Sequence, residues 1–236
     1  DYHDVVCMND YDYLIFPGDH LTLTEEAASI QRDYFVENLS LLIDLDEFPS
    51  YNDQSGRVLL MDKNTTFIDQ MEYQEKMHFP LVKNSEGISL ERIHYTLPSR
   101  QASSWHSASE NSGFATPTYR NSQYSEMTGA EEQFTISPEV FSPDNDGQDD
   151  LLYIHYSFDR PGRVVNVTLY DSKGRLERYL VNNQTLGTEG TWIWNGLNEN
   201  NQRSGNGIYI IYIELFDLQG NVEKIKKHCV VGGRSE

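Results

Sequence analysis

Tyr209-Ile210-Ile211-Tyr212-Ile213-Glu214-Leu215, running through Phe216-Asp217-Leu218-Gln219-Gly220-Asn221 into Val222-Glu223-Lys224, carries the strongest structural signal in this chain. Tyr209, Ile211, Ile213 and Leu215 recur at every second residue, which places them on one face of a β-strand. The segment after them has turn chemistry. The Asp217 side chain can bond backbone amides across the turn, and Gly220 takes a positive φ without a Cβ clash. A strand, a tight turn and a returning strand therefore follow one another.

The same pattern occurs upstream. Tyr170-Asp171-Ser172-Lys173-Gly174-Arg175-Leu176-Glu177-Arg178 repeats the aromatic, the Asp, the Gly three residues later, the apolar residue two beyond it and the closing base. Val165, Val167 and Leu169 lead into it with the same alternation. About seven short strands in roughly 100 residues describe a β-sandwich over residues 134–231. The expected fold is all-β, in two β-rich domains. The first, 1–124, carries one short helix; a linker spans 125–133 and a disordered tail 232–236.

Length supports two modules. The 236 residues exceed the usual domain of roughly 100–150. The 15 tyrosines and 10 phenylalanines, with no long apolar helical stretch, favour strands. Tyr13-Leu14-Ile15-Phe16 reads as a strand ending in the turn Pro17-Gly18-Asp19, and Leu21-Thr22-Leu23 resumes the extended pattern. Thr24 is the expected N-cap of a helix of two or three turns, with Glu25 and Glu26 in its first turn and Ala27, Ala28, Ile30 and Tyr34 at helical spacing. Residues 57–61 and 66–73 flank Asp62-Lys63-Asn64 as a hairpin. Residues 98–124 read as an ordered meander pinned by Trp105, Phe114 and Tyr119.

Ahead of the sandwich strands lies Phe141-Ser142-Pro143-Asp144-Asn145-Asp146-Gly147-Gln148-Asp149-Asp150, with four carboxylates and a glycine in seven residues. Carboxylates this close raise one another's pKa unless a cation sits among them. Asp144, Asp146, Asp149 and Asp150, with the carbonyl of Gln148, are the candidate ligands of a calcium ion that stiffens the inter-domain junction. Full coordination needs six to eight oxygens, so carbonyls, distant side chains or water must add to them. A metal-free network of Asp side chains capping the first strand, or a plain solvated loop, satisfies the same residues.

Charge narrows the partners. The net charge is −19, with 8 basic and 20 acidic groups in 1–124 and 10 and 17 in 125–236. Nucleic-acid binding draws its non-specific affinity from Lys and Arg on phosphates, so a nucleic-acid partner is not expected. Lys224, Lys226 and Lys227 form the one basic cluster, spaced as on a solvated strand face. No run reaches the length of a membrane span. Cys7 and Cys229 lie at opposite ends and read as free thiols. Trp105-His106-Ser107 lacks a nucleophile elbow, and His78 and His94 lack metal-ligand spacing, so neither catalysis nor a histidine metal site is expected. Trp192 and Trp194 share a face, which suits core packing, a sugar platform or a protein contact.

Two resemblances attach to these residues. Glu86-Gly87-Ile88-Ser89-Leu90-Glu91-Arg92, Trp105-His106-Ser107-Ala108, Gly113-Phe114-Ala115-Thr116-Pro117 and Asn121-Ser122-Gln123 resemble the final part of a bacterial lamin-tail domain, over roughly residues 10–123. That family is an Ig-like β-sandwich whose opening strands have no counterpart upstream of Tyr13, so the resemblance implies two Ig-like β-sandwich domains, the first truncated at its N-terminus. Phe141-Ser142-Pro143, Asp146-Gly147-Gln148-Asp149-Asp150, Trp194-Asn195-Gly196 with Asn201, and Gly207-Ile208-Tyr209 resemble the Ig-like domain of the flagellar-hook-capping type, related to C-terminal domains of gliding-associated and type IX-secreted proteins. The resemblances imply a non-catalytic binding or scaffold module, monomeric, extracellular or on the outer cell surface of Bacteroidota-type bacteria, with a protein or glycan partner. A C-terminal sorting domain, or an accessory module of a larger hydrolase or nuclease, is the alternative.

Overall fold

A computed structural model describes residues 5–6, 13–126 and 133–233. Among the described residues the chain is all-β with one short α-helix, and it divides into two compact units, Asp1–Glu126 and Met127–Glu236. Cys7, residues 127–132 of the expected linker and residues 234–236 of the expected tail lie outside the described residues.

Among the described residues of the first unit the strands pair as three two-stranded ladders. β1 (Thr22–Thr24) and β2 (Leu42–Asp44) are parallel neighbours. Helix α1 (Ala27–Asp33) lies between them in sequence. It starts later than expected, because the acceptor at its first turn comes from across the ladder: Asp44 Oδ1 takes the Ala27 amide at 3.1 Å, while Thr24 Oγ1 takes that of Glu26. Residues 13–16 are not a strand; Leu14, Ile15 and Phe16 are exposed, whereas the turn closing on Asp19 and the extended segment after it form as expected. Their apolar run has no neighbouring strand in the described ladders on which to be buried.

β3 (Ser55–Met61) and β4 (Phe67–Gln74) make the expected hairpin. β5 (Leu90–Arg92) pairs with β6 (Trp105–Ser107), so the meander contains a short strand of its own. Ser125 is buried and donates its amide to the Ile93 carbonyl, which ties the end of the unit back to β5.

The second unit is a two-layer sandwich. One layer holds β7 (Gln133–Ser137), β9 (Leu152–Ser157) and β12 (Glu189–Trp194), in the order β12-β9-β7. The other holds β8 (Val140–Phe141), β10 (Val164–Asp171), β11 (Leu176–Thr185), β13 (Gly207–Phe216) and β14 (Val222–Val231), in the order β11-β10-β13-β14-β8. The alternating residues build the core: Leu152, Ile154, Val165, Val167, Leu169, Ile211, Ile213 and Leu215 are all buried. Trp192 and Trp194 are buried in that core as well, so the shared face serves packing. Cys229 is a buried free thiol, its pKa pushed up to about 12 by burial.

Among the described residues one turn design recurs four times, three times at turns the sequence marks and once, at Asn198, elsewhere. Asp171 Oδ1 accepts the amides of Lys173 and Arg175, and Asp217 Oδ1 those of Gln219 and Asn221, each at 2.8–2.9 Å. Asp62 does the same for Asn64 and Thr66, and Asn198 for Asn200 and Gln202. The left-handed position three residues on is Gly174, Gly220, Thr65 and Asn201 respectively. Amide donation depresses the carboxyl pKa of Asp62 and Asp171; for Asp217 the Asn221 side chain contributes most. A depressed folded pKa gives stability that is present above the unfolded value and lost as pH falls through the folded one. Thermal midpoints should therefore drop as pH is lowered from about 4. Replacing Asp171 and Asp217 by Asn should flatten that drop for the second unit, measured by scanning calorimetry; an unchanged acid limb would refute this.

Candidate metal centre

The acidic loop of the second unit is held at both ends by buried residues. Phe141 packs edge-on to Trp194 at 5.2 Å, Pro143 is buried, and Leu152 starts β9 in the core. A Cβ on Gly196, whose φ is +72°, would meet Pro143 Cγ at 2.5 Å. The Trp194-Asn195-Gly196 turn and the Phe141-Ser142-Pro143 segment thus fit each other only with glycine there.

Between these anchors the backbone doubles back on its own acids. Asp150 Oδ1 accepts the Asn145 amide at 2.6 Å and its Oδ2 that of Gly147 at 2.8 Å. Asp144 Oδ1 takes the Asp146 amide at 3.2 Å, and Asp146 Oδ1 that of Gln148 at 2.9 Å. The Ser142 amide reaches the Asp149 carbonyl at 2.8 Å and closes the loop. Asn145, Gly147 and Asp149 all have positive φ, at 63°, 88° and 52°.

This folding gathers Asp144, Asp146 and Asp150, whose carboxylates present ligand oxygens within 4.8 Å of one another. Such a triad can hold a metal ion. Asp144 and Asp150 are half-buried and Asp146 is exposed. Asp149 lies outside the triad, exposed, with its carbonyl occupied by Ser142, and the Gln148 side chain is exposed while its amide serves Asp146. An ionised carboxylate has about four lone-pair sites, so each acid keeps acceptor capacity after these bonds. The donor set is hard oxygen, suited to calcium or magnesium rather than to a soft metal.

The first unit contains a different constellation. Glu91 on β5 is buried, and it accepts the Thr116 hydroxyl at 2.6 Å, the Ser122 hydroxyl at 2.7 Å and the Gln123 amide at 3.0 Å. Burial raises its carboxyl pKa, and those donors pull it back. It lines an open groove of about 400 Å³ whose other ionisable lining group is Tyr34, a phenol that donates to the Gly87 carbonyl at 2.9 Å. Glu91 belongs to no catalytic or metal-ligand motif in the sequence, and its one signal there is a carboxylate at the centre of the strand Leu90–Arg92. His78 is paired with the Ser107 hydroxyl and His94 with that of Thr96, which are structural roles. Among the described residues, no helix is long and apolar enough to cross a membrane.

No family model matches this chain, and no curated protein matches it. Among solved structures it is similar to FlgD from P. aeruginosa, at 17% identity over 34% of this chain and 62% of that one, with a TM-score of 0.29. It is similar to CopC from Methylosinus trichosporium OB3b, at 13% identity over 45% and 98%, with a TM-score of 0.28. It is also similar to PorZ, a bacterial surface component of the type-IX secretion system of Porphyromonas gingivalis, at 20% identity over 49% and 13%, with a TM-score of 0.29. The chain thus spans less than two thirds of the FlgD chain and a small part of PorZ.

Proposed function

We propose that this chain is a non-catalytic module of an exported bacterial protein, in which Asp144, Asp146 and Asp150 hold a calcium ion that stiffens the entrance to the sandwich. The convergence of three carboxylates within 4.8 Å on a loop anchored by Phe141 and Pro143 carries this reading. The amide network brings the acids together, and the ion would offset the repulsion that remains among them. Carbonyls or water complete its shell. Calcium is favoured over magnesium because an irregular set of loop oxygens suits its flexible coordination. The first unit, with its lamin-tail-like motifs, supplies a binding or scaffold surface in this reading.

Melting the second unit with calcium and with a chelator tests it. At calcium concentrations well above a dissociation constant typical of extracellular modules, linkage stabilises the folded state by about 1–3 kcal/mol, a rise of roughly 5–10 °C. Asp146→Asn should abolish most of the rise. Equal midpoints in millimolar calcium and in chelator would remove calcium from the account.

A further inference from the structure

β14 is paired along its whole length on one side only. All ten residues face β13, whereas on the other side β8 covers just Val230 and Val231. The amide of Val230 donates to the Glu139 carbonyl and that of Gly232 to the Phe141 carbonyl, both at 2.8 Å. Backbone groups alternate in direction along a strand. The same edge therefore presents the N–H and C=O of Lys224, Lys226 and His228, and among the described residues no strand pairs with them. The ladder does not continue backwards from β8, because Pro138 has no amide and the chain crosses there to β7 in the other layer.

The side chains on this edge are unlike the rest of the molecule. Lys224, Lys226, Lys227 and His228 are all exposed, in a chain of net charge −19. Lys224 has a distant carboxylate, Glu214, at 3.8 Å. Lysines on an open edge discourage pairing with an identical edge, since two copies would bring like charges together. Toward an acidic strand the same charges are attractive, and the open backbone provides the hydrogen bonds. We infer that the free edge of β14 docks an extended acidic segment of another protein by strand addition, independently of the calcium site.

The probes are three labelled eight-residue peptides titrated by fluorescence anisotropy against the full chain at low salt. One alternates Glu with Val and Thr, the second has Lys for Glu, and the third keeps the Glu residues but carries N-methyl groups on the amides that would pair. The expected result is that the first binds at least about tenfold more tightly than either control. Amide hydrogen exchange should slow at Lys224, Lys226 and His228 when it binds. Lys226→Glu, a surface change, should weaken binding by about tenfold. Equal binding of the N-methylated peptide would reduce the effect to charge attraction and overturn strand addition. Equal binding of the lysine peptide, or protection away from β14, would overturn it too.

Discussion

Trp194→Ala should cost the second unit about 4 kcal/mol, a large share of the roughly 5–15 kcal/mol that a domain has in total. Trp194 is fully buried, edge-on to Phe141 at 5.2 Å and to Tyr209 at 5.1 Å, and its Nε1 donates to the Leu197 carbonyl at 2.9 Å. Truncation removes the transfer energy of the indole, leaves a void that β-strands on both sides are too well paired to close, and deprives the Leu197 carbonyl of that bond. Trp194→Phe should cost about half as much, because the ring contacts persist and the hydrogen bond does not. Hydrogen exchange of the β9, β10 and β13 amides reports on this unit alone. A loss below about 1 kcal/mol would mean that the core does not centre on this residue.

Glu91→Ala should destabilise the first unit by about 3 kcal/mol, and Glu91→Gln by only about 1. The buried Gln123 amide and the Ser122 hydroxyl lose their acceptor in the alanine variant. In the glutamine variant the amide oxygen can serve those two donors, and its NH₂ can donate to the Thr116 hydroxyl, which is able to reverse its role. The folded pKa of Glu91 is raised, so its contribution is present below the unfolded value of about 4.3 and is lost as pH climbs through the folded one. The cost of Glu91→Gln should accordingly be greater at pH 4 than at pH 7 in urea titrations of the two variants. Equal costs for Ala and Gln would mean that the three bonds do not hold the 108–126 segment to β5.

The sandwich was legible because its signals are local. The alternation at Tyr209, Ile211, Ile213 and Leu215 and the Asp217/Gly220 turn need no distant partner to be read, and those four side chains are all buried. The turn at Asn198 lacks the Asp/Gly signature, because Asn stands in for Asp and Asn201 for Gly, although the amide acceptor and the tolerance of positive φ are the same. Pairing partners were not legible: β1 joins β2 across helix α1, and Asp44, 17 residues on in the chain, accepts the Ala27 amide. Residues 13–16 show the converse. Apolar content suggested a strand, but a strand forms only where an edge receives it.

The candidate site was partly readable for the same reason. Asp144, Asp146 and Gly147 follow from spacing, whereas the choice between Asp149 and Asp150 depends on backbone direction. Positive φ at Asp149 accompanies the bend that places Asp150 opposite Asp144 and exposes the Asp149 side chain. Glu91 was hidden because its three donors come from a segment some 25–32 residues away in sequence.

Calorimetric titration of the metal-stripped chain with calcium is the most direct test. One ion should bind per chain, with the Asp146→Asn and Asp150→Asn variants losing the heat while their unfolding cooperativity is retained. An absence of heat, or a site that survives both substitutions, would leave the loop as a purely amide-bonded turn and contradict the account.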